Sequence, residues 1–183
     1  MKNNNLLMAI LLTCLGILIA ACATDSSKRV SSPVVPDSIK VSDTEVMSFA
    51  ASAKGFQIYE CRGKKDDATQ YEWVLKGPEA DLFDARGKKI GRHYGGPTWE
   101  SNDGSKTVGA VKASSPAPAP DAIPWLLLSA TSTGPQGSFS KVTAIQRLNT
   151  VGGVAPASGC SQAVAGKPLR VNYTADYYFF APK

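Results

Sequence analysis

The chain holds a single histidine, His93, and only four cysteines in 183 residues. It contains no Gly-x-Gly-x-x-Gly loop and no Gly-x-Ser-x-Gly elbow, so neither a dinucleotide cofactor nor the common serine-hydrolase turn is indicated, and no cofactor is expected. Charged residues make up 19% of the chain, its net charge is +5, and no block of five like charges occurs. A nucleic-acid binder concentrates its basic residues on one face with aromatic side chains between them; here they are scattered, so nucleic acid is not an expected partner. No apolar run reaches the roughly 20 residues of a spanning helix. No extended helical periodicity and no internal repeat is visible.

What is present begins with an export signal. Met1-Lys2-Asn3-Asn4-Asn5 is followed by an apolar run over residues 6–21, interrupted by Thr13 and Gly16, and then by Cys22. A short positive start, an apolar core and small residues before a cleavage point form a secretory signal. Ile19-Ala20-Ala21-Cys22 resembles a lipobox. That resemblance implies cleavage before Cys22, a thioether from its thiol to diacylglycerol, and acylation of the new amine by a palmitate-type chain. The alternative is an ordinary secretory signal with Cys22 merely nearby. Two or three acyl chains anchor stably, since each buried methylene contributes about 0.8 kcal/mol. The membrane, through lipid on Cys22, is the expected partner. Ala23, where an Asp often retains lipoproteins at the inner membrane, favours the outer membrane facing the periplasm.

Cysteine usage fits export. Cys14 leaves with the signal and Cys22 is lipidated, which leaves Cys61 and Cys160 as an even pair in an oxidising compartment. A Cys61–Cys160 disulfide is expected, with two free buried thiols as the alternative.

Three regions follow: a signal peptide over 1–21, a lipidated flexible tether over 22–45 rich in Ser, Thr, Pro, Asp and Lys, and one domain over 46–183. The domain reads as all-β, a single β-sandwich or barrel with long loops. Gly55-Phe56-Gln57-Ile58-Tyr59-Glu60-Cys61, Tyr71-Glu72-Trp73-Val74-Leu75 and residues 80–84 are β-rich. Residues 88–94 are expected to return as the partner of 80–84. Asn102-Asp103-Gly104 is a turn before the strand 107–111. Trp125-Leu126-Leu127-Leu128, bounded by Pro124, reads as a strand buried on both faces. Residues 169–180 form the last strand. Residues 114–120 are a polyproline-like surface loop. The segment 139–148 has helical spacing but β-branched residues, and a strand is favoured. Residues 46–53 are read as one short helix.

The order of motifs resembles family 3455 of the domains of unknown function, secreted and uncharacterised proteins of bacteria and fungi. The resemblance rests on the Gly55–Cys61 run, Trp73-Val74-Leu75, Gly77-Pro78-Glu79-Ala80-Asp81-Leu82, and Gly91-Arg92-His93-Tyr94-Gly95-Gly96-Pro97-Thr98-Trp99-Glu100. It continues through Ile123-Pro124-Trp125, Gln146-Arg147-Leu148-Asn149-Thr150-Val151-Gly152-Gly153 and Tyr173-Thr174-Ala175-Asp176-Tyr177-Tyr178-Phe179. It covers residues 50–181 and implies no catalytic residues.

The segment 93–105 gathers the candidate chemistry: His93, Tyr94, Trp99, Glu100 and Asp103. One reading makes His93 a general base oriented by Glu100 or Asp103, an envelope hydrolase, or joins it to both carboxylates at a metal. A second offers Trp99 and Tyr94 as apolar faces for an envelope polymer or protein. A third is structural: Gly95-Gly96-Pro97 for a tight backbone path, Trp99 in the core, His93 satisfying a buried backbone group. Arg147 and Asn149 form a second polar cluster, with an Arg–carboxylate pair and a glycine bend as the structural alternative. The expected function is a lipid-anchored envelope binding or structural module, the hydrolase being second.

Overall fold

A computed structural model describes residues 33–183. The signal peptide, Cys22 and the first part of the tether lie outside the described residues.

Alternating short apolar and polar residues broken by turn sequences cannot satisfy their backbone groups alone, and here they do so by closing a sheet on itself. Eight strands run in chain order: β1 (Glu45–Gly63), β2 (Tyr71–Phe83), β3 (Lys89–Tyr94), β4 (Thr98–Ser101), β5 (Lys106–Ser115), β6 (Trp125–Thr133), β7 (Ala144–Gly152) and β8 (Pro168–Pro182). Each is antiparallel to the next, and β8 pairs back onto β1. Of the two expected architectures the molecule adopts the barrel, in which β8 closes on β1 so that the first and last strands are not left as free edges. The long strand β1 bends between its two partners at register shifts at Met47/Phe49 and Ile58/Tyr59.

Inward-facing residues fill the barrel. Ala51, Ala53, Ala80, Leu82, Leu128, Ile145 and Ala175 surround the aromatic side chains of Trp99, Tyr177 and Phe179. The 134–143 loop inserts Phe139 and Val142 into one end, where Phe139 meets Phe49 and Phe179 at ring distances of 5.5 and 5.0 Å. At the other end Cys61 is joined to Cys160, with Cα atoms 5.4 Å apart. Tyr59 Oη donates to the Gly153 carbonyl at 2.7 Å there.

Most sequence expectations for strands hold, including the return of 88–94 against 80–84 and the last strand. The short helix over 46–53 does not form; those residues belong to β1 and pair with β8. Small residues on both faces (Ala50, Ala51, Ser52, Ala53) mask the two-residue period in the sequence. The segment 139–148 divides: its first part is the loop that carries Phe139, its second is β7. The expected tether ends differently as well. A 3-10 turn at Asp37–Ile39 lies on the outside of the barrel, with Ile39 fully buried beside Leu127 and Leu148. Gln146 Nε2 donates to the Ile39 carbonyl at 2.7 Å. This strap explains the continuous apolar run of β6: Leu128 faces the interior and Leu127 faces Ile39.

Candidate functional site

The hairpin β3–β4 sorts the clustered candidates by parity. His93 stands opposite Trp99 in the register and both point inward, whereas Tyr94 and Glu100 are one residue on and point out. The His93 and Trp99 rings stack at 4.2 Å and 13°. Tyr177 meets both edge-on, at 5.0 and 5.3 Å. Gly109 on β5 makes room for the indole: a Cβ there would lie 2.8 Å from the Trp99 ring. His93 Nδ1 donates to the Thr98 carbonyl at 2.9 Å, which leaves Nε2 as the acceptor of a neutral ring. Burial pushes its pKa down to about 3, the Thr98 hydrogen bond opposing and the nearby Arg147 charge adding to the fall.

On the outer face Glu100 Oε2 accepts from Tyr94 Oη at 2.7 Å and from Arg92 at 3.0 Å, with Lys106 at 3.4 Å. The Tyr94 hydrogen bond, then the Arg92 partner, hold its carboxyl below the usual range against some desolvation. Asp103 lies in the β4–β5 turn. One of its oxygens accepts from the backbone N–H and hydroxyl of Ser105 (2.9 and 2.6 Å) and the other from those of Ser138 (2.8 and 2.7 Å). These four donors hold its carboxyl far below the ordinary carboxylate value. Asp103 thus staples the loop that carries Phe139. His93, Glu100 and Asp103 are not brought together, and among the described residues no group of three His, Cys, Asp or Glu side chains is placed to hold a metal.

What His93 and Trp99 do share is a cavity of about 330 Å³, at the small end for ligand sites. Every one of the eight strands contributes to its wall, so it belongs to the barrel interior. Its opening follows from strand length. The pairing of β2 with β3 begins at Glu79, and that of β4 with β5 ends at Val108, so the short β3–β4 hairpin leaves a notch between the first half of β2 and the last half of β5. Gly96 and Pro97 form the sill; Gly96, at φ +116°, takes a backbone shape suited to glycine. Leu75 and Val111 flank the notch and are more than half exposed.

Arg147 enters this cavity from β7, between Leu126 and Tyr177 in the register. Its Nε and Nη2 donate to the Pro124 carbonyl at 3.1 and 2.8 Å. No carboxylate pairs with it among the described residues, so the expected Arg–acid pair is not what holds it. Asn149 is separate: at φ +50° in the β7 bulge, it donates to Asp176 at 2.9 Å on the outer face.

Sequence reasoning missed Gln57 and undervalued Tyr177. Gln57 is 2% exposed, its Nε2 has no hydrogen-bond partner, and neither has Tyr177 Oη nor Trp99 Nε1; all three residues line the cavity. The available signal was a lone Gln in a run whose alternate members are buried. A wider depression on the outer face, about 510 Å³, has most of its charges matched, Arg170 with Glu79 at 2.7 Å and Lys89 with Asp81 at 2.6 Å, while Lys54 lies over the Phe83 ring at 5.8 Å.

No curated protein and no solved structure matches the chain. A family model described as "Protein of unknown function (DUF3455)" matches residues 42–181, a span that takes in all eight strands but for a residue at the end of the last, and the chain belongs to that family.

Proposed function

We propose that this protein is an exported, lipid-anchored binding module that holds a small molecule inside its barrel. The observation that carries the reading is the cavity behind the notch. Its wall is drawn from all eight strands and includes three buried polar atoms with no partner in the fold. A buried polar group left unsatisfied costs about 1–3 kcal/mol, so three on one wall point to a site shaped for something other than stability. The anchor rests on the signal-like residues 1–21 and the lipobox at Cys22. A folded strap at Asp37–Ile39 would then shorten the free tether to the residues before it.

The geometry supports a small-molecule partner over a polymer shelf or a hydrolase. Trp99 is 1% exposed and offers no outer face to a polymer. His93, with its pKa near 3, is a weak base, and the carboxylates proposed to orient it lie on the outer face and in a turn.

The test uses the full chain and a neutral probe, toluene, followed by thermal shift. Saturable stabilisation by one equivalent is expected. Val111→Trp alters an exposed residue and blocks the notch, and should abolish the shift while preserving the melting temperature. An equal shift in both proteins would place binding elsewhere.

A further inference from the structure

The chemistry of the wall narrows the occupant. Apart from His93, whose free Nε2 accepts, the wall's polar atoms without a hydrogen bond of full geometry can all donate: Gln57 Nε2, Trp99 Nε1 and the Tyr177 hydroxyl, the last able to accept as well. Arg147 adds a guanidinium that is half-buried. Its Nε and Nη2 are committed to one neutral carbonyl, and among the described residues no carboxylate meets the guanidinium, whose polar side-chain neighbour in the cavity is the Tyr177 hydroxyl. A cation drawn into a barrel without a counter-ion is unfavourable, because desolvation is not repaid by an opposite charge. The guanidinium fork matches a carboxylate in two parallel hydrogen bonds. The rest of the wall is mainly apolar, with Leu126, Leu128 and Pro97 inside and Leu75 and Val111 at the notch; Lys76 also lines it, its ammonium 3.9 Å from the Glu60 carboxylate.

We propose that the ligand is a small organic carboxylate with an apolar body, its carboxylate held by Arg147 with Tyr177 and Gln57, its body against Leu126, Leu128 and Pro97. This inference rests on the cavity being the binding site. With Lys76 facing Glu60, the one cation of the wall that meets no carboxylate among the described residues is Arg147, and one guanidinium balances one negative charge, which favours a carboxylate over a doubly charged phosphate ester. The volume of about 330 Å³ limits the body to a single ring or a short chain.

The experiment is calorimetric titration of the full chain at pH 7 with two matched pairs, benzoate against benzamide and hexanoate against hexanamide. The acids are expected to bind at least tenfold more tightly than their amides. Arg147→Gln should erase that preference. Because Arg147 also holds the Pro124 carbonyl, Tyr177→Phe serves as the second variant. It removes a hydroxyl that lies beside the Tyr173 hydroxyl and the Arg147 guanidinium without a hydrogen bond of full geometry, so it should leave the melting temperature close to that of the wild type while weakening the acids several-fold and sparing the amides. Acids and amides binding alike, or a preference untouched by both variants, overturns the carboxylate assignment and leaves the cavity as a site for neutral molecules. Failure of toluene, acids and amides alike to bind the wild-type chain removes the cavity reading itself, and this inference with it.

Discussion

His93 shows how a residue conspicuous in sequence acquires a different meaning in the fold. As the only histidine beside two carboxylates it reads as a base; in the barrel it is a neutral ring stacked on Trp99 and hydrogen-bonded to the Thr98 carbonyl. Its folded pKa, about 3, lies below the unfolded value of about 6.5, so the unfolded chain takes up the proton first. The ring's contribution is present in full above pH 6.5 and is lost as pH falls from there towards 3. At the extreme the loss is on the order of 5 kcal/mol. Denaturant midpoints of the wild type should therefore fall across that window, and those of His93→Gln much less; parallel curves would contradict the burial. His93→Ala at neutral pH removes a packed ring and should cost roughly 2–4 kcal/mol. Parity was legible at this scale: residues 93 and 99 share one face and 94 and 100 the other once the hairpin is recognised. Arg147, Gln57 and Tyr177 were not legible as one site, since only the closure of β1 onto β8 and the pairing of β7 with β8 bring them together.

At the scale of elements, the turn at Asp103 and the loop 134–143 act as one unit. The four hydrogen bonds of Asp103 and the bond from the Phe139 N–H to Ser105 Oγ, at 3.1 Å, fix the loop that closes one end. Asp103→Asn keeps the shape but loses charge and two acceptor sites. It should speed amide exchange over residues 137–143 far more than at the disulfide end; unchanged exchange would show that Phe139 alone holds the loop. The sequence announced the turn through Asn102-Asp103-Gly104 but gave no hint that Ser138, 35 residues on, completes it. The strap at Asp37–Ile39 was hidden for a related reason. A single Ile in a polar stretch has no periodicity, and the apolar outer face that receives it becomes visible only when β6 and β7 lie side by side.

For the whole molecule, the cysteine count was informative where composition was not. With Cys14 assigned to the signal and Cys22 to the lipid, the remaining two cysteines implied one pair, and Cys61 and Cys160 meet across 99 residues of chain. A loop of that length is worth about 4–5 kcal/mol in the chain-entropy model. The double variant Cys61→Ser, Cys160→Ser should lower the unfolding free energy by up to that amount, and a loss well under 1 kcal/mol would mean that the loop 153–167 is held by other contacts. All-β character followed from short β-rich runs and turns; closure into a barrel did not, because a sandwich uses the same alternation. The notch is a consequence of closure with unequal strands, four residues in β4 against thirteen in β2. The site therefore belongs to the topology more than to any motif.

The barrel interior as a binding site is tested most directly by the indole N–H signals of the full chain in a nitrogen-15 correlation spectrum, titrated with toluene and then with benzoate. Trp99 lines the cavity, while the Trp73 indole is hydrogen-bonded to the Ser158 carbonyl at 3.1 Å and Trp125 packs beneath the strap. The Trp99 signal is expected to shift and saturate while those of Trp73 and Trp125 stay in place, and Val111→Trp should suppress the shift. A Trp99 signal that stays fixed through saturating amounts of both probes would contradict the assignment.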